Sequence, residues 1–357
     1  MLTQSKLFRL IAPIPLISLI TALASCSTQP TPSVSLEGAG ASFPAPLYEL
    51  WFDRYHQQNP QVEVSYEAVG SGAGIEQFLN QEVDFGSTDV PLTAEEIAQF
   101  PDERGKPIQV PLASSAIVLA YNLPGVEEFR LSRETYCGIT TGEITNWNDS
   151  AIAQDNLEVS LPNLPITFVH RSDNSGTTFN FTNHLDQVCP DWTAGVGQIV
   201  EWTVGNAAPG NVGVAATIQQ TQGAIGYTGF AYAERTHLPM ATLENKAGFF
   251  IEPLPNAAED ATENVETTDD LVTLSPDPES ADAYPIIGLT YLLLYENYPD
   301  PAQKAALQDL IEWALMEDGR ALADAAGYAP LSRPVAARVL DLVNTMQTVI
   351  SQTSFRD

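Results

Sequence analysis

The chain has 357 residues, with 45 acidic against 15 basic side chains and a formal net charge of −30. That length allows about two domains. The acidity argues against nucleic acid, which needs basic patches, and against long-range steering of an anion, so any anion site must work by local geometry against an unfavourable overall field.

The first stretch is a leader. Lys6 and Arg9 precede an apolar run, Leu10 to Ala24, that is short and interrupted by Pro13 and Pro15. Leu23-Ala24-Ser25-Cys26 then places small residues before a single cysteine at the cleavage position, like a bacterial lipobox. Residues 1–25 read as a lipoprotein signal peptide, Cys26 as the lipidation site and 26–33 as a tether. An ordinary signal peptide with an incidental cysteine is the plainer alternative. No later stretch is long and apolar enough to span a bilayer, so the rest reads as an extracytoplasmic domain, in periplasm or at the cell surface, tethered to a membrane.

Beyond the tether the chain alternates between strand and helix. Val34–Leu36 reads as a strand, and Pro44–Gln58 as a helix with Leu47, Leu50, Trp51 and Tyr55 on one face. Val62–Ala68 reads as a strand, Gly70–Gly74 as a turn, Ile75–Asn80 as a short helix and Val83–Gly86 as a strand. This order implies parallel strands with crossover helices. A second unit begins after Val110–Asn122 and runs through Ile166–His170, a helix from Thr177, and Gln222–Glu234. Asn256–Asp282 is acidic and rich in Pro, Thr and Ser, the composition of an exposed loop. Tyr284–Tyr295 is a strongly apolar strand, followed by helices over Gln303–Met316 and Val335–Ile350.

Two cysteines remain after Cys26. In an oxidising compartment Cys137 and Cys189 are compatible with a disulfide, two buried thiols being the other reading. Four scattered histidines show no metal-ligand spacing, so no metal or cofactor is expected.

Three helix starts share a design. Ser42 and Phe43 precede Pro44, Ser71 precedes the next helix, and Ser175, Gly176 and Thr177 precede the third. Each combines unsatisfied backbone N–H groups, a hydroxyl and the positive end of a helix dipole, the makings of an oxyanion site. Any one alone is ordinarily an N-cap. The third has Arg171 beside it, whose planar fork suits a tetrahedral oxyanion, and Asp173 two residues on to pair with the guanidinium. Asp89 follows a strand in a Ser/Thr-rich loop, where a turn carboxylate is the ordinary reading.

Taken together, "GAGASFPAP", "VGSGAG", "VDFGSTDVPL", "RSDNSGTTFNF" and "GAIGY", in this order, resemble the phosphate-specific substrate-binding proteins of bacterial ABC transporters, here in lipoprotein form. The resemblance implies an α/β, two-lobe periplasmic-binding-protein fold (type II), each lobe a mixed sheet flanked by helices with the ligand between them. It implies one lobe from 34–115 with 284–357 and a second from 116–283, with 256–282 as an acidic loop. The phosphate contacts carried over are Ser42, Phe43 through its backbone, Ser71, Asp89, Arg171, Ser175, Gly176 and Thr177, with Asp173 as the arginine's partner. Ser42 stands where relatives often have threonine. Ser71-Gly72-Ala73-Gly74 stands where they often carry more serine, which implies one hydroxyl contact fewer. The implied role is non-enzymatic: a monomer that binds inorganic phosphate and delivers it to the membrane permease of an importer with a cytoplasmic ATPase. A sensor or scavenger uncoupled from transport is one competitor. A phosphate-ester hydrolase is another, but local sequence places no histidine as a base, and no GxxxxGK[ST] loop occurs.

Overall fold

The protein is described by a computed structural model over residues 34–262, 271 and 276–349. Cys26 and the tether lie outside the described residues.

Three parallel strands open the fold. β1 (Val34–Gly40) lies between β2 (Val62–Glu67) and β3 (Phe85–Thr88). Parallel neighbours need crossovers, and α1 (Ala45–Gln58) and α2 (Ser71–Leu79) supply them. On α1, Leu47, Trp51 and Tyr55 are buried as their spacing predicts. Leu50 is instead 39% exposed, and Tyr48 takes the buried place, its ring stacked near Trp51 and Phe52 and its hydroxyl 3.1 Å from Ser87 Oγ. The expected turn over Gly70–Gly74 is helix from Ser71 onward. Gly70, at φ 97°, holds the backbone at the helix entry, but Gly74 serves packing: a Cβ on it would meet Gly40 Cα at 2.2 Å. β3 also begins two residues later than its apolar pattern suggests.

β4 (Pro107–Tyr121) is one 15-residue strand with two sets of partners. Its first part, to Ala116, pairs antiparallel with the strand Ile287–Tyr295. Ile117 to Tyr121 pair antiparallel with the strand Ala224–Gly229. The Ile287–Tyr295 strand also pairs with β3, so it fills the place between β3 and β4. Beyond Ala224–Gly229 come Thr167–Arg171 and then Asn206–Ala208, both parallel. The result is a curled mixed sheet with helices against it, in two lobes that share β4.

The segment 256–282 is not simply an exposed loop. It begins as the helix Pro255–Thr262, which buries Ala257, Ala258 and Ala261, and Leu271 is buried as well. The small apolar residues pack, while Asp277 pairs with Arg133. Residues 263–270 and 272–275 lie outside the described residues. The last helix runs over Arg333–Val343, shorter than its apolar pattern suggests, and Gln347–Thr348 pairs as a strand with Asn297–Tyr298. Among the described residues no helix is long and apolar enough to cross a membrane.

Cys137, on the helix Arg133–Thr141, is bonded to Cys189, just past the helix Gly176–Val188, with a Cα–Cα distance of 5.4 Å. The bond closes a sequence separation of 52 residues. A chain-entropy argument gives about 3–4 kcal/mol for such a loop. Reduction should therefore lower the denaturation midpoint clearly in urea with and without reductant, and superimposable curves would show that the crosslink contributes nothing.

Candidate oxyanion site

Every site residue foreseen from the sequence follows the carboxyl end of a parallel strand or opens the helix after it, where ligands of open α/β sheets bind. β1 leads to Ser42 and Phe43, β2 to Ser71, β3 to Asp89, and the strand Thr167–Arg171 ends on Arg171 itself. Ser42, Phe43, Ser71, Asp89, Arg171, Ser175 and Thr177 are all at most 5% exposed.

The two sides meet closely. A Cβ on Gly176 would fall 2.4 Å from Ser71 Oγ and 2.8 Å from Asp89 Oδ2, so only glycine allows this approach. Gly72 N–H donates to Asn174 O at 3.2 Å, and Asn180 Nδ2 donates to Asp89 O at 2.8 Å.

Arg171 is held from behind. Its Nε donates to Asp173 Oδ1 at 2.8 Å, its Nη2 bonds Asp173 Oδ2, and its Nη1 donates to Thr177 Oγ1 at 3.3 Å. Asp173 Oδ1 also accepts from Gly210 N–H at 2.9 Å. Burial pushes the Asp173 carboxyl up, but its bonds to Arg171 outweigh that and hold it below the usual carboxylate range. Asp173 is thus the arginine's partner, as the spacing suggested.

The Ser42–Phe43 peptide is clamped. Tyr232 hydroxyl donates to Ser42 O at 2.5 Å, and Tyr328 hydroxyl donates to Phe43 O at 2.6 Å. A planar trans peptide holds its N–H opposite its C=O, so the Tyr232 bond fixes the direction of the Phe43 N–H. The Phe43 ring is packed edge-on to Tyr328.

The ordinary cap reading holds in part. Ser175 is the N-cap of its helix, its Oγ accepting from Thr178 N–H at 3.0 Å. Ser71 caps nothing; its Oγ accepts from Asp89 N–H at 3.1 Å. A hydroxyl that accepts still has a proton to give, so neither bond removes the donor.

Asp89 is the odd member. Its Oδ1 is buried and has no hydrogen-bond partner among the described residues. Burial raises its carboxyl to about 7, with Thr290, the Arg171 charge and Ser71 pulling the other way. A buried carboxylate acceptor without a partner suits a ligand that brings a proton.

One further residue is not legible in the sequence. Asn211, fully buried at the start of the helix Gly210–Gln220, donates from Nδ2 to Ser42 Oγ at 3.0 Å and to Thr177 Oγ1 at 3.1 Å. In "APGNVG" it reads as turn punctuation. Only the fold brings it to Ser42, 169 positions away. Among the described residues no group of three or more His, Cys, Asp or Glu could hold a metal ion.

A two-lobed α/β body with a buried donor cluster at its strand ends defines a periplasmic-binding-protein type. The family described as "PBP superfamily domain" matches residues 27–318. The phosphate-binding protein PstS of Pasteurella multocida is 35% identical over 327 residues, covering 90% of this chain and 93% of that protein. That of Methanocaldococcus jannaschii is 33% identical over 363 residues, covering 94% and 93%. The chain belongs to the PstS family of phosphate-binding proteins. Among solved structures, the fold is similar to an ancestral soluble variant of the Human Phosphate Binding Protein (TM-score 0.74, 21% identity, 89% of this chain and 100% of that one). It is similar also to the periplasmic phosphate-binding protein PfluDING (TM-score 0.72, 23% identity, 86% and 93%).

Proposed function

We propose that this chain binds inorganic phosphate between its lobes and delivers it to the permease of an ABC importer. The observation that carries the reading is the buried, unpartnered Asp89 Oδ1. A fully ionised oxyanion has no proton for it, whereas phosphate near neutral pH carries at least one P–OH. The ligand set is Ser42, Phe43 N–H, Ser71, Asp89, Arg171, Ser175, Gly176 and Thr177, with Asp173 behind the arginine. One lobe comprises 34–115 and 284–357, the other 116–283, and the ligand favours the closed arrangement by bonding to both. Calorimetric titration of the protein, stripped of ligand, with phosphate, sulfate and molybdate tests the reading. Absence of saturable phosphate binding would end it.

The role is binding without catalysis, by a monomer. His170, the histidine nearest in sequence to Ser175, stacks on Trp202 and bonds Arg171 O through Nδ1. Purified protein should release no phosphate from esters, and turnover abolished by Ser175→Ala would favour the hydrolase instead. Cys26 carries the lipid anchor. Mass spectrometry of the membrane fraction should show an acylated N-terminal cysteine, and an unmodified soluble protein cleaved elsewhere would refute the tether.

A further inference from the structure

We propose that Asn211 is a positioning residue that turns the Ser42 and Thr177 hydroxyls into obligate donors toward the bound anion. The inference rests on the phosphate reading above and adds a residue to it.

Lone pairs and protons decide the polarity of each hydroxyl. A hydroxyl oxygen has two acceptor sites and one proton. Ser42 Oγ receives two donors, Asn211 N–H at 3.3 Å and Asn211 Nδ2 at 3.0 Å. Thr177 Oγ1 also receives two, Arg171 Nη1 at 3.3 Å and Asn211 Nδ2 at 3.1 Å. Both acceptor sites of both hydroxyls are taken, so each has only its proton left to offer. Either hydroxyl could otherwise rotate and present a lone pair to an anion, which would repel it.

The amide must itself be unable to flip. The backbone fixes this: Gly229 N–H, which can only donate, points at Asn211 Oδ1 at 2.9 Å. Thr228 Oγ1 donates to the same oxygen at 3.1 Å. With oxygen assigned to that side, the NH2 group must face Ser42 and Thr177. Its two protons match its two acceptors. Asn211 is fully buried, so no water competes for these bonds. The amide also spans the two lobes, because Ser42 follows β1 and Thr177 follows the Thr167–Arg171 strand. One side chain therefore sets the polarity of a hydroxyl on each wall without adding charge.

The test is a double-mutant cycle on phosphate affinity. Dissociation constants come from the phosphate dependence of the melting temperature, which reaches weak affinities and reports folding at once. Asn211→Leu removes both donors and should weaken phosphate by about thirtyfold, the scale of two neutral hydrogen bonds. In a Ser42→Ala/Thr177→Val background the same change should cost less than about threefold. Equal costs in the two backgrounds would mean that Asn211 merely places its helix, and an effect below about threefold in the otherwise native chain would also overturn the proposal. Should Asn211→Leu not fold, Asn211→Asp carries the same comparison. It keeps an oxygen for Thr228 and Gly229, and its added charge is common to both backgrounds and cancels. If the unsubstituted protein fails to bind phosphate, the phosphate reading fails. If it binds and the cycle shows no coupling, only the role of Asn211 fails.

Discussion

Arg171→Met should weaken phosphate binding by more than about a hundredfold, a loss of about 3 kcal/mol or more. Three facts set that scale. Arg171 is 5% exposed, so its charge acts through little screening water. Asp173 and Thr177 hold it by three bonds, so its direction is fixed before the ligand arrives. Methionine leaves Asp173 with the Gly210 N–H at 2.9 Å and no counter-charge, so a carboxylate would stand unpaired beside an anion. The Asp173 carboxyl now lies below its usual range, so it adds stability above an unfolded value of about 4 that is lost as pH falls through its folded value. Removing the arginine should raise that value and erase the acid-side loss. A fall in affinity of about tenfold or less in calorimetry would show that Arg171 does not touch the ligand.

Sulfate should compete with phosphate only when Asp89 carries a proton. The carboxyl of Asp89 is raised to about 7 in the folded protein, chiefly by burial. Above that pH the carboxylate faces the sulfate oxygens with no hydrogen between them, and unpaired buried charge costs several kcal/mol, roughly a thousandfold in affinity. Below it, the carboxyl can donate. Sulfate affinity should therefore be flat in acid and fall by about tenfold per pH unit above 7, following the protonated fraction. Asp89→Asn, whose amide donates at every pH, should bind sulfate without that dependence. The sign for stability is the reverse of the usual carboxylate case. The raised value means that the folded protein binds this proton more tightly, so stability from this group falls as pH rises from about 4 to about 7. Competition titrations across this range decide the matter, and wild-type sulfate binding that is strong and constant above pH 7 would remove both the role of Asp89 and the choice of phosphate.

Much of the site is legible because its parts are local. Arg171, Asp173 and the 175–177 hydroxyls lie within seven residues of sequence, and helix starts announce themselves by Ser, Gly and Pro. Asn211 is invisible for the opposite reason: its partners are distant, and an asparagine after glycine has an ordinary use in turns. Gly72 and Gly74 mislead because a glycine demanded by close packing looks the same in sequence as one demanded by a turn. The acidic segment misleads because a few buried alanines are a faint signal among many charges. Parallel strands with crossovers are legible in the strand–helix order and the two lobes are what the resemblance implies, but the changeover within β4 does not show, since Ala116 and Ile117 are both apolar.

The strand Ile287–Tyr295, wedged between β3 and β4, has a consequence for the order in which the molecule can assemble. A nascent chain that has emerged only as far as residue 283 has all of β1 to β4 but lacks the strand that joins β3 to β4. Two open edges then face each other across a missing neighbour, and the first half of the polypeptide cannot complete its sheet. Contacts so distant along the chain are slow to form. Such a molecule cannot close its sheet until the strand Ile287–Tyr295 has been synthesised.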